Sequence, residues 1–121
     1  MKRDKKKQLK TLEWDQKLDA VVAAPDSHLI LLENDKVRVL EVVIKPLHKE
    51  PMHTHKWPSV MITDSSANIR YHDDKGNATE YPKRDISSNN PLVEYLEPEG
   101  LHAVENIDDI PYHAYRIETK Q

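Results

Sequence analysis

From Pro25 onward the chain is written in short runs of apolar positions broken by turn-forming residues, which is the pattern of β-strands joined by tight loops. HLILLE (28–33) is followed by the turn formers Asn34 and Asp35. In KVRVLEVVI (36–44), Val37, Val39 and Val43 alternate with Arg38, Leu40, Val42 and Ile44, so both faces are largely apolar, as in a strand covered on both sides. VMIT (60–63), NIRYH (68–72), ATEY (78–81), LVEYLE (92–97) and YHAYRIE (112–118) continue the series. Their separators are rich in Asp, Asn, Ser and Pro, and Asp73 to Asn77 forms a hairpin loop in which Gly76 supplies the positive φ. Several short strands at even spacing predict an antiparallel sandwich or barrel rather than a parallel sheet crossed by helices.

The residues before Pro25 follow a different rule. From about Lys6 to Ala23 they are mostly helix formers with an irregular apolar stripe of Leu9, Leu12, Leu18, Val21 and Val22, which predicts one amphipathic helix closed by Pro25-Asp26-Ser27. Trp14 within it is read as a packing residue. The domain expectation is a basic arm and helix over 1–24 and a β-barrel over 25–119.

Composition narrows the chemistry. With 121 residues the chain is the size of one domain, and no apolar run approaches the length of a membrane span. Cysteine is absent, which removes disulfides, thiolate ligands and a cysteine nucleophile, and any metal must be held by nitrogen and oxygen. The chain has two glycines, too few for a phosphate-binding or dinucleotide-binding loop, so no nucleotide cofactor is expected. The first ten residues carry six basic side chains against Asp4, while the whole chain has a net charge of −3, so a basic arm precedes an acidic body. No basic face with interleaved aromatics follows it, and neither nucleic acid nor a membrane is an expected partner. A cytoplasmic location is expected.

Two of the seven histidines, His53 and His55, stand two apart in PMHTHKWPSV. On a strand alternate side chains share a face, so the two rings project together and can share a metal ion. A transition metal needs at least a third protein ligand. The best candidate is His102 in EPEGLHAVEN, behind the turn Pro98-Glu99-Gly100 and ahead of the turn formers Asn106 to Asp109.

KPLHKEPMHTH, with PEGLHAVEN some 40 residues later, resembles the two motifs of the cupin superfamily over about residues 28–118. The resemblance implies an all-β cupin fold, a double-stranded β-helix or jelly-roll barrel, here with one N-terminal helix. It also implies a divalent transition metal (Fe, Zn, Mn or Ni) on His53, His55 and His102, with Asn106 in register after the third. The departures are specific. The family's glutamate falls at Ser59 or Val60, its opening glycine at Leu47, its closing glycine near Ala67 and that of the second motif near Pro91 or Leu92. One residue instead of two separates Gly100 from His102. Without the glutamate the site is a neutral three-histidine set resembling that of the thiol dioxygenases, with positions open to water or substrate.

Trp57, Tyr95 and Tyr115 are the candidate pocket residues: Trp57 for its place after His55, the tyrosines as inward hydroxyl donors. His48 is read as a surface loop residue, and His28, His72 and His113 are given no role. By analogy the resemblance implies dioxygenase or isomerase chemistry on a small organic molecule. The rival reading is a non-catalytic cupin that has lost its metal and binds a small ligand or a partner protein. A homodimer is expected.

Overall fold

The computed structural model describes residues 14–120. The basic arm and the first part of the expected helix lie outside them. Within them a 3-10 turn covers Gln16–Leu18 and a single turn of α-helix, α1, covers Ala20–Ala23. Asp15 caps the 3-10 turn by accepting from Lys17 N. Asp19, at the start of α1, makes no side-chain cap; its carboxylate is taken by Arg38 instead. A continuous helix through residue 23 is therefore corrected to this broken pair.

Nine strands follow: β1 (His28–Glu33), β2 (Val37–Ile44), β3 (His53–His55), β4 (Ser59–Ser65), β5 (Ile69–Asp73), β6 (Ala78–Tyr81), β7 (Leu92–Leu96), β8 (Glu99–Asn106) and β9 (Tyr112–Thr119). They form a five-stranded sheet in the order β1-β2-β9-β4-β7 and a four-stranded sheet in the order β3-β8-β5-β6, with every strand pair antiparallel. The runs read from alternation all fall on strands, and Gly76 turns the β5–β6 hairpin at φ 85°.

The core sits between the sheets, around Leu40, Val42, Ile44, Met61 and Ala114. In β2 burial alternates strictly, with Arg38, Leu40, Val42 and Ile44 turned inward. Asn106 closes the far end of β8: its amide donates to the carbonyls of Ile44 (2.9 Å) and Ile110 (2.8 Å) and its oxygen accepts from Asp108 N, so a fully buried side chain leaves no polar atom unpaired. Leu47, where the cupin pattern has its opening glycine, keeps a positive φ of 62° although it carries a side chain. β1, at the sheet edge, exposes Leu29, Ile30, Leu31 and Leu32.

Candidate metal centre and its cavity

Four histidine rings meet between the sheets. His53 and His55 project together from β3, as the alternation requires, and both are buried. Across the β3–β8 ladder His53 pairs with His102, and the register then slips so that His55 faces Glu99. One extra β8 residue sits in that interval, a bulge beside Gly100 that brings the ring of His102 to 4.5 Å from that of His53 and 5.5 Å from that of His55. The fourth ring belongs to His28, on the opposite sheet, at 4.7 Å from His53 and 5.3 Å from His55.

Each ring is held by its Nδ1. A carbonyl oxygen can only accept, so the nitrogen facing it carries the hydrogen. His53 Nδ1 donates to Pro51 O (2.8 Å), His102 Nδ1 to Gly100 O (2.7 Å) and His28 Nδ1 to Ala24 O (3.1 Å). His55 Nδ1 donates to Glu118 Oε2 at 3.0 Å. The remaining nitrogen of each ring, Nε2, is therefore the one with a free lone pair, and that of His53 is buried without a hydrogen-bond partner among the described residues. Burial also keeps the rings neutral: it lowers His28 to about 3 and pushes His53, His55 and His102 below the ordinary imidazole value. Neutral imidazoles with preset tautomers are the form in which histidine binds a metal.

Among the described residues two donor groups are close enough to hold an ion, His28 with His53 and His55, and His55 with Glu99 and His102; in each the ligand atoms lie within 4.8 Å of one another, and the predicted trio is divided between them, His53 in the first and His102 in the second. His55 belongs to both. Nitrogen and oxygen donors of this kind suit zinc, iron, manganese, nickel or copper, and a bound ion would give the orphaned Nε2 of His53 a partner.

The carboxylates around the rings come from places the motif does not predict. Ser59 and Val60 stand where the family's glutamate is expected; Ser59 is buried, and its hydroxyl has no hydrogen-bond partner among the described residues. Its cross-strand neighbour in β9 is Glu118, which takes His55 on one oxygen and Arg38 Nε on the other. Arg38 in turn grips Asp19, so a buried chain of polar contacts runs from the start of α1 to the histidines. Glu50 accepts from Ser27 Oγ and Val104 N and lies 3.6 Å from His53 Nε2; burial pushes its carboxyl up. Burial works against the Glu99 carboxylate too, but Arg116, His102 and Tyr71 together hold it below the usual range.

The histidines form part of the wall of a cavity of about 580 Å³ between the sheets. Val42, Ile44, Met61, Leu96 and Val104 supply apolar wall, and the exposed lining residues Tyr81, Pro82 and Arg84 mark its open side. Of the expected pocket aromatics none lines it. Trp57 follows the end of β3, where the chain leaves the strand, and its ring lies beneath Arg38, Lys56 and Lys120 at 5.0, 4.6 and 5.1 Å. Tyr95 is 62% exposed, and Tyr115 packs edge-on against His113 on the outer face. The tyrosines that line the cavity are Tyr71, stacked on His102 at 5.2 Å, together with Tyr81 and Tyr112. His48 is exposed, as expected, while His28, given no role from the sequence, is a member of the cluster.

These two sheets, their strand order and the cavity between them define a cupin fold, the double-stranded β-helix that the sequence motifs imply. Solved structures show the same architecture. The chain is similar to a cupin domain from Bordetella pertussis Tohama I, at 17% identity over 78% of this chain and 92% of that one, with a TM-score of 0.65. It is similar also to an RmlC-like cupin family protein from Methanocaldococcus jannaschii, at 11% identity over 76% and 77% of the two chains, TM-score 0.55. A third similar structure is the polyketide cyclase RemF from Streptomyces resistomycificus, at 14% identity over 78% and 64%, TM-score 0.51. At these identities the likeness is one of fold. Neither a protein-family model nor a curated protein matches the sequence. Among the described residues no helix is long and apolar enough to cross a membrane.

Proposed function

We propose that the protein is a metal-dependent cupin that binds one divalent transition metal at His53, His55 and His102, with His28 and Glu99 within reach as further donors, and acts on a small organic molecule in the adjoining cavity. The observation that carries this reading is the cluster of four neutral rings, each anchored through Nδ1 and with neighbouring centroids 4.5–5.5 Å apart, which leaves Nε2 of each without a carbonyl or carboxylate hydrogen bond among the described residues. A bound ion supplies Lewis acidity or, if redox-active, electron transfer. The chain's own residues hold the rings in one tautomer, keep protons off them by burial and surround the substrate with apolar wall. Dioxygenase or isomerase chemistry fits a site with donors on one side and open cavity on the other; a cupin that only binds its ligand is the alternative.

The test is elemental analysis of tag-free protein after incubation with Fe(II), Zn(II), Mn(II) or Ni(II). Stoichiometric metal in the wild type, lost in His55→Ala and kept in His113→Ala, is the expected result; a wild type that takes up none of the four ions ends the proposal. Oxygen uptake and isomerisation assays on the loaded protein then separate enzyme from binder. The expected homodimer is supported by the exposed apolar row of β1, and light scattering on the wild type and on Leu29→Lys with Leu31→Lys tests it.

A further inference from the structure

Among the described residues two arginines are buried between the sheets, and they differ in how their donors are used. Arg38 spends Nε on Glu118 and both Nη atoms on Asp19. Arg116, whose side chain is 5% exposed, spends Nη2 on Glu99 Oε1 at 2.6 Å; its Nε is buried with no acceptor, and no other hydrogen bond from this guanidinium is found among the described residues. A guanidinium carries five N–H donors in a planar fork, and burying it with one acceptor is costly unless something else completes it. Arg116 lines the same cavity as the histidines, and Glu99 joins the two: Oε1 holds Arg116 while Oε2 lies 3.6 Å from His102 Nε2.

The chemistry that completes a planar fork in an apolar cavity is a planar pair of oxygens. We infer that the cavity takes a small organic acid, its carboxylate held on the open donors of Arg116 and its carbon body against Val42, Ile44, Met61 and Leu96. The lining also contains Glu50, Glu94 and Glu99, and their presence disfavours a dianion such as a phosphate monoester relative to a single carboxylate. Arg84, at the open side, carries a second positive charge along the way in. This inference names the substrate class of the site proposed above and rests on that reading for turnover, while the binding step depends on Arg116 alone.

The experiment uses acid and amide pairs of equal shape, acetate with acetamide, hexanoate with hexanamide and benzoate with benzamide, titrated calorimetrically into the full chain after metal removal and again after metal loading. At least one pair is expected to show a tenfold or greater preference for the acid in metal-free protein, with that preference reduced tenfold in Arg116→Lys and retained in Arg70→Gln, whose guanidinium pairs with Glu80 and Glu105 and does not line the cavity. Wild-type protein labelled with nitrogen-15 gives a readout that needs no variant: the Arg116 Nε–H resonance moves on addition of the acid and stays in place with the amide. Equal binding of acid and amide in all three pairs overturns the inference. So does an acid preference present only in metal-loaded protein with the Arg116 resonance unmoved, since the acid then sits on the ion. Elemental analysis separates the two proposals: a protein without metal that keeps the preference loses the function proposed above and keeps this one, and a loaded protein without the preference does the reverse.

Discussion

Glu118 Oε2 lies 3.0 Å from Nδ1 of His55, and Glu118 is the cross-strand neighbour of Ser59. The carboxylate that a cupin motif would place at position 59 or 60, on β4, thus has its counterpart one strand over, where it orients a histidine from behind the ring. Such outer carboxylates raise the basicity of the ligand they hold.

Glu118→Gln is expected to lower metal affinity about 10- to 100-fold while keeping the ring in place, because the amide still accepts from His55 but carries no charge. It also leaves Arg38 without the fully buried one of its two carboxylates, so stability should fall by about 3 kcal/mol. Competition with a chromophoric chelator and urea melts read the two effects separately.

Leu47 holds φ 62° at 75% exposure, so its side chain adds strain and little packing. The left-handed conformation costs a residue with a Cβ about 1–2 kcal/mol, and glycine gives back part of that through a freer unfolded chain. Leu47→Gly is expected to stabilise the fold by about 0.5–1 kcal/mol in urea melts, with metal content unchanged.

The buried rings set the acid limb of the stability curve. His28 titrates at about 3 in the folded protein, against about 6.5 in an unfolded chain. The unfolded state therefore binds more protons between these values, and the stability of metal-free protein falls as pH drops from about 6.5 toward 3. Replacing His28 by Gln removes one such group, and the slope over that window should flatten by up to about 1.4 kcal/mol per pH unit. An unchanged slope in urea melts at stepped pH would show that His28 is already charged in the fold.

His113 behaves in the opposite sense. Partial burial lowers it, but hydrogen bonds from both ring nitrogens, Nδ1 to Asp64 at 2.5 Å and Nε2 to Glu41 at 2.7 Å, raise it overall. A raised folded pKa contributes stability that is full below about 6.5 and is lost as pH rises through the folded value. His113→Gln should therefore cost about 1 kcal/mol at pH 6 and less at pH 9.

The strands were legible because in most of them one face is plainly apolar. The site was legible where a residue sits in a local pattern: His53 and His55 by alternation, His102 by the turn before it. His28 opens β1 ahead of an apolar run, with no partner nearby in sequence to mark it, and meets the others only through sheet packing. In β9 the inward residues are Tyr112, Ala114, Arg116 and Glu118, while Tyr115 and Ile117 lie outward. The inward face is the more polar one, so hydrophobic alternation gives the wrong phase; the same inversion misplaces Tyr115 and hides Arg116 and Glu118. Tyr95 fails similarly, because Glu94 and not Tyr95 reaches the cavity from β7.

The place of β9 between β2 and β4, at the middle of the five-stranded sheet, has a consequence for biosynthesis. A nascent chain leaving the ribosome carries every ring-bearing strand before the one that supplies Arg116 and Glu118. Until that strand emerges, the two halves of the sheet have nothing to join them, and Arg38 has Asp19 but not Glu118 to pair with. Such long-range closure makes for slow folding and a period of exposure to aggregation, so yield at elevated expression temperature should depend on chaperone supply.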